Sequence, residues 1–223
     1  MNPFPSCIGI FDSGVGGLSV LKALRQELPH ENLLYFSDSA FAPYGERTEQ
    51  EVVQRSEHIT ATLIQQGAKA LVIACNTATA AAVHHLRQHY PHLPIVGVEP
   101  ALKPASISSQ TRQVGVLATQ RTLASQKFAN MLQNCSHNCH FHLRAATGLA
   151  LAIELGEQSQ IKNLLSEHLK ALGEFGHGPG QIDTLVLGCT HYPLVIELIQ
   201  ELVGPTIHVL DNAPAIAKHT HLL

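Results

Sequence analysis

Two short segments of this chain resemble one another, and each sets a cysteine directly after an apolar run. Leu71-Val72-Ile73-Ala74-Cys75-Asn76-Thr77 and Leu185-Val186-Leu187-Gly188-Cys189-Thr190-His191 both pass from a buried-strand pattern into a thiol followed by small hydrogen-bonding residues. A free cysteine in an apolar strand is more often an inert core residue. Here polar residues end each strand, and a helix start beside a sulfur stabilises its thiolate. A thiolate can remove a proton and a thiol can return one. Two thiols facing one carbon would invert its configuration without a cofactor. His191, two residues past Cys189, could orient, deprotonate or reprotonate that sulfur.

Other residues fall at similar points. Asp12-Ser13-Gly14-Val15-Gly16-Gly17 follows a strand and opens a helix, so its backbone can approach a ligand closely and its helix start favours an anion. It is neither a P-loop nor a full dinucleotide fingerprint, because no Gly-Lys-Ser/Thr follows and Ser19 takes the third glycine position. A turn-forming role accounts for the glycines equally well, but the Asp12 carboxylate ending an apolar strand needs a partner. Pro43-Tyr44-Gly45 reads as a turn that could also line a pocket. Thr119 and Thr122 offer hydroxyl donors from the second half, with Thr122 equally a helix N-cap. Glu154 sits in an apolar stretch, as a site carboxylate or a solvated helix residue. Cys135-Ser136-His137-Asn138-Cys139-His140-Phe141-His142 carries five potential zinc ligands, but no second cluster of matching spacing exists. Alternating Phe141 and Leu143 there predict a strand with His140 and His142 facing outward, and no metal site is expected.

The elements that must position these residues follow from periodicity. Short β-rich runs alternate with longer amphipathic stretches, which predicts an α/β protein with parallel sheets. Strands are expected at Cys7 to Asp12, Asn32 to Phe36, Ala70 to Ala74 and Ile95 to Val98, with helices over Gly17 to Leu28, Thr48 to Gln66 and Thr77 to His89. Thr48 to Glu51 forms a capping box at the start of the second helix. After Pro100 and Pro104 the pattern restarts, Val114 to Thr119 resembling Ile8 to Ser13, as a diverged internal duplication would. The expected organisation is two pseudosymmetric subdomains, residues 1–99 plus 209–223 and residues 100–208, joined near Glu99 to Pro104. The active site is expected in the cleft between them, since ligands of open parallel sheets bind beyond the carboxyl ends of the strands.

Composition bounds the function classes. A length of 223 residues suffices for a substantial core, and a formal charge of −3 gives no general attraction to nucleic acid or anionic membrane. The 15 histidines would move that charge towards zero on partial protonation. No run reaches the ~18 apolar residues of a membrane span, and residues Met1 to Cys7 show no secretory signal. Five cysteines, an odd number, argue against a disulfide framework and for a reducing, cytoplasmic setting.

Taken together, Asp12 to Gly17, Pro43-Tyr44-Gly45, Cys75-Asn76-Thr77-Ala78 and Gly188-Cys189-Thr190-His191 resemble, in order, the signature motifs of the bacterial glutamate racemases. The related aspartate racemases typically carry Glu where His191 stands. The resemblance runs from about Cys7 to the final helix. It implies interconversion of D- and L-glutamate without pyridoxal phosphate or another cofactor, with D-glutamate entering peptidoglycan synthesis and a homodimer as the assembly. It implies that Cys75 acts on D-glutamate assisted by Asp12, and Cys189 on L-glutamate assisted by His191, with Glu154 a further site carboxylate. Ser13, Tyr44, Gly45, Asn76, Thr77, Thr190 and His191 match substrate-contacting positions. There are departures: Ser37-Asp38-Ser39 and Phe41 precede Pro43 where Gly-Asp-Thr and Arg-Cys are usual, Asn212 replaces a common Ser, and many members carry a further C-terminal segment. Racemisation of aspartate or a hydantoin by the same thiols, and a silent binding protein acting on a partner such as a DNA topoisomerase, are the alternatives. A thiol redox role is weaker, since neither cysteine belongs to a Cys-x-x-Cys pair.

Overall fold

The computed structural model describes residues 6–137 and 139–223. Residues 1–5 of the N-terminal stretch, and Asn138 of the cysteine–histidine cluster, lie outside the described residues. The chain forms two compact units, one from the chain up to Glu99 together with Asn212–Leu223, the other from Pro100–Asp211.

In the first unit, strand β1 (Cys7–Asp12) leads through helix α1 (Leu18–Glu27) to β2 (Leu33–Ser37). Then come α2 (Glu49–Gln65), β3 (Ala68–Ile73), α3 (Asn76–His89) and β4 (Ile95–Gly97). The strands are all parallel, in the order β2-β1-β3-β4. Both faces are covered by helices, so the central strands are apolar at successive positions rather than alternating with polar residues. Neighbouring side chains still point to opposite faces. Phe11, Leu71 and Ile73 pack with Ile59, Leu63 and Leu86, while Ile10 and Val72 pack with Val20 and Leu24 on the other side. The capping box forms as expected: the Thr48 N–H donates to Glu51 at 2.8 Å, and the Glu51 N–H donates to the Thr48 hydroxyl at 3.2 Å.

The second unit has the same strand order. It runs α4 (Leu102–Ser108), β5 (Gln113–Ala118), α5 (Gln120–Ala124), α6 (Gln126–Cys135) and β6 (His140–Ala145). It continues with α7 (Leu149–Leu155), α8 (Gln158–Leu172), β7 (Thr184–Gly188), α9 (Ile196–Val203) and β8 (His208–Leu210). Its sheet is parallel, ordered β6-β5-β7-β8. Leu117, Leu185 and Leu187 pack against Leu165 and Ile199 on one face; Val114, Val116 and Val186 pack against Leu102 and Phe128 on the other. The chain then returns to the first unit as α10 (Ala213–His221), where Ala213, Ile216 and Ala217 join the Val20–Leu24 cluster.

Two expectations differ from what forms. The return to the first unit comes at Asn212, not residue 209: Val209 pairs with Leu185 and Leu210 with Val186, so β8 closes the second sheet. In edge strand β6, Leu143 is 42% exposed while His142 is half-buried and bonds Gln113 at 2.9 Å. An edge strand with only partial cover does not enforce the alternation that the sequence reading assumed.

Candidate active site

In the first unit the candidate residues sit where β1 and β3 end. Asp12, the last residue of β1, is fully buried. One of its carboxylate oxygens accepts the Gly17 N–H at 2.9 Å and the Gly14 N–H at 3.2 Å, so the glycine loop wraps its own charge. Gly17 has to be glycine: a Cβ there would lie 2.6 Å from the Asp12 Cβ and 2.8 Å from the Tyr35 hydroxyl. That hydroxyl donates to the Gly14 carbonyl at 2.7 Å and pins the loop from β2.

Cys75 follows β3 as the N-cap of α3. Its sulfur accepts the Ala78 N–H at 3.4 Å and lies 3.8 Å from the Ser13 hydroxyl. The orphan N–H groups of a helix start stabilise negative charge on such a sulfur. Asn76 and Thr77 are buried beside it, and among the described residues the Asn76 side-chain N–H₂ has no hydrogen-bond partner. A buried donor without an acceptor is costly unless a ligand supplies one. Tyr44 packs in the same cluster as Cys75 and donates to Asp38 at 2.5 Å. Burial, then its bond to the Asp38 carboxylate, pushes the Tyr44 phenol pKa far above its ordinary value, so it stays a donor. Pro43 and Gly45 flank it on the partly exposed loop between β2 and α2.

In the second unit, Cys189 directly follows β7 and is 7% exposed. Gly188 lets the strand end approach β5, since a Cβ there would lie 2.8 Å from that of Ala118. The His191 Nδ1 stands 3.8 Å from the Cys189 sulfur, and its Nε2 stands 2.6 Å from the Glu154 carboxylate on α7. Both side chains are shielded, at 2% and 11% exposure. If the carboxylate accepts the Nε2 proton, the Nδ1 lone pair faces the thiol, an arrangement in which an imidazole can exchange a proton with sulfur. Thr190 is buried next to them. At the end of the neighbouring strand β5, Thr119 rather than Thr122 is the N-cap of α5, accepting the Thr122 N–H at 3.2 Å. The two hydroxyls bond each other at 2.9 Å.

The structure thus gathers Asp12, Ser13, Tyr44, Cys75, Asn76 and Thr77 in the first unit, and Cys189, Thr190, His191 and Glu154 in the second. Sequence reasoning missed Tyr35, which braces the glycine loop, and Arg55, which clamps Asp38 with donors at 2.7 and 2.9 Å. Tyr35 left no signal. Arg55 did: it interrupts the apolar stripe of α2 between Val52 and Ile59. Among the described residues no cluster of three or more His, Cys, Asp or Glu is placed to hold a metal, and no helix is long and apolar enough to cross a membrane.

Comparison with known proteins agrees with this layout. The family model described as Asp/Glu/Hydantoin racemase matches residues 9–220. A glutamate racemase of Ralstonia nicotianae is 48% identical over 214 residues, covering 95% of this chain and 75% of that protein. The crystal structure of Escherichia coli glutamate racemase in complex with L-glutamate and the activator UDP-MurNAc-ala matches with a TM-score of 0.86 at 31% identity, over 98% of this chain and 82% of that one. Glutamate racemase from Francisella tularensis in complex with D-glutamate matches with a TM-score of 0.80 at 29% identity, over 97% and 80%. With matched residues running through both units and every motif described above, the chain belongs to the Asp/Glu/Hydantoin racemase family, among the glutamate racemases.

Proposed function

We propose that this protein is an isomerase that interconverts L- and D-glutamate with Cys75 and Cys189 as its two acid/base groups. The observation that carries the reading is the repeated placement of a thiol at the carboxyl end of corresponding strands, β3 and β7, each with hydrogen-bonding groups about the sulfur. The Cα proton of glutamate is weakly acidic, so removal and delivery must be closely coupled. One sulfur, as thiolate, takes the proton from Cα and becomes a thiol. The other, as thiol, delivers its proton to the opposite face of the same carbon and becomes the thiolate. The net change is inversion, with no change in charge or oxidation state.

The surrounding groups divide the remaining work. Cys189 acts on L-glutamate, with His191 moving its proton and Glu154 holding the imidazole. Cys75 acts on D-glutamate, with Ser13 beside its sulfur and Asp12 as the nearby carboxylate. The Asn76 side-chain N–H₂, with Thr77, Thr190, Thr119, Thr122 and the loop Pro43-Tyr44-Gly45, supplies the contacts that fix the carboxylates and ammonium of the substrate. Solved relatives that hold L-glutamate or D-glutamate support this choice of substrate. By the same kinship the protein works as a cytoplasmic homodimer and supplies D-glutamate for peptidoglycan.

Circular dichroism of D-glutamate with purified protein and no added cofactor tests the reading: the signal should decay to zero, while D-aspartate stays unchanged. Cys75→Ser and Cys189→Ser should each lower turnover by about 10²–10⁴-fold with the fold intact. Near-normal turnover by either folded variant would rule out the two-thiol assignment.

A further inference from the structure

The glycine loop beside Cys75 is anchored from two sides, and one of the anchors has no part in the mechanism above. Ser13 is the first residue past β1, so the loop rather than the sheet directs its side chain. Its hydroxyl accepts from the Cys75 thiol at 3.8 Å. On the inner side, the Asp12 carboxylate takes the N–H groups of Gly14 and Gly17. From β2, the Tyr35 hydroxyl donates to the Gly14 carbonyl at 2.7 Å, and it stands 2.8 Å from where a Gly17 Cβ would lie. Asp12 thus fixes the peptide between Ser13 and Gly14, and Tyr35 fixes the next one. Gly14, with no Cβ, would otherwise turn easily and carry Ser13 with it. The grip falls on the residue adjacent to the one hydroxyl that meets the sulfur.

We propose that Tyr35 is a positioning residue for Cys75: it holds the Gly14 peptide so that the Ser13 hydroxyl stays against the sulfur and donates to it once the thiol has lost its proton. A serine hydroxyl accepts from a thiol and, by rotating its hydrogen, donates to a thiolate. The second bond is the stronger, because it meets a charge. Support from an outer residue of this kind keeps a reacting group within the narrow geometry that its chemistry needs. The role in turnover rests on the reading of Cys75 as an acid/base thiol; the stabilisation of its thiolate does not.

Tyr35→Phe removes the hydroxyl and keeps the half-buried ring against its apolar cluster, so the fold is retained. The test is the iodoacetamide alkylation profile from pH 6 to 10 in ligand-free protein, with Cys75 and Cys189 resolved by peptide mass spectrometry. Easier access scales a whole profile, whereas loss of a donor to the thiolate moves its midpoint. The Cys75 midpoint should rise by about one pH unit, the tenfold change that one charge-assisted bond supplies, while that of Cys189 stays in place. In parallel, kcat with D-glutamate is measured for Tyr35→Phe, Ser13→Ala and the double variant. Each single variant should lose about tenfold, and the double no more than about twofold beyond Ser13→Ala, since the tyrosine then has no hydroxyl to position. An unmoved Cys75 midpoint, a rise common to both thiols, or losses that multiply in the double variant would each overturn the proposal. A raised Cys75 midpoint beside a fully active Cys75→Ser enzyme overturns the catalytic reading of Cys75, and with it the role of Tyr35 in turnover.

Discussion

Asp38 is only 4% exposed, and a carboxylate so placed must be neutralised where it sits. Arg55 closes on it with two parallel N–H donors, Tyr44 adds a third bond, and the guanidinium lies 4.0 Å from the Phe41 ring centroid. The bond to Asp38 also holds the Arg55 guanidinium more firmly protonated than usual. Arg55→Met would strand the carboxylate and free the loop that carries Tyr44. Because Arg55 is 26% exposed, the loss of stability should be moderate, about 1–3 kcal/mol by urea denaturation. Arg55→Lys should restore little, since a point charge cannot replace the planar fork. At this scale the sequence was readable where chemistry is local. Cys189 and His191 are two residues apart, and their contact follows from the motif alone. The Asp38–Arg55 clamp spans 17 positions between a loop and a helix, and spacing does not reveal such a partner until the fold brings them together.

Among the elements, central strands were the most legible, because helices cover both faces and leave apolar residues at successive positions. The edges were the least. Leu143 on β6 is exposed and β8 joined the second sheet, both at strands with one neighbour, where burial constrains the pattern weakly. The start of β7 is secured by a different device. Asp183 accepts the Ser109 hydroxyl at 2.7 Å, the Gln110 N–H at 2.6 Å, the Thr111 N–H at 2.9 Å and the Thr184 hydroxyl at 3.0 Å, tying β7 to the turn ahead of β5. Burial alone would raise its pKa, but the bonds from Ser109, Thr111, Thr184 and Gln110 outweigh this and hold the carboxyl below its usual range. A carboxyl depressed in the folded state stabilises above its unfolded value and loses that contribution as pH falls through the folded one. Asp183→Asn should therefore lower stability at pH 7 by about 1–3 kcal/mol. In urea melts repeated at lower pH, its deficit against the unsubstituted protein should narrow below about pH 4.

At the level of the molecule, the restart of the pattern after Pro100 was legible as a duplication, because both sheets repeat one strand order. Where the chain comes back was not. Val209 and Leu210 read as the start of the return to the first unit, and only their pairing with Leu185 and Val186 assigns them to the second. The returning helix α10 completes the first unit's core against α1 and β4, and the Asn212 side chain bonds the Glu99 carbonyl. Ile216→Ala should destabilise the first unit by about 2–4 kcal/mol. Hydrogen exchange should show faster amide loss in β1 and β4, with β5, β7 and α8 keeping their protection.

That path has a temporal meaning when the polypeptide is made. All residues of the second unit, with Cys189 and its histidine–glutamate pair, leave the ribosome before α10 does. The sheet bearing Asp12 and Cys75 is synthesised first, yet its last supporting helix emerges last. During translation the older half waits, one face unsealed, while the younger half can already fold.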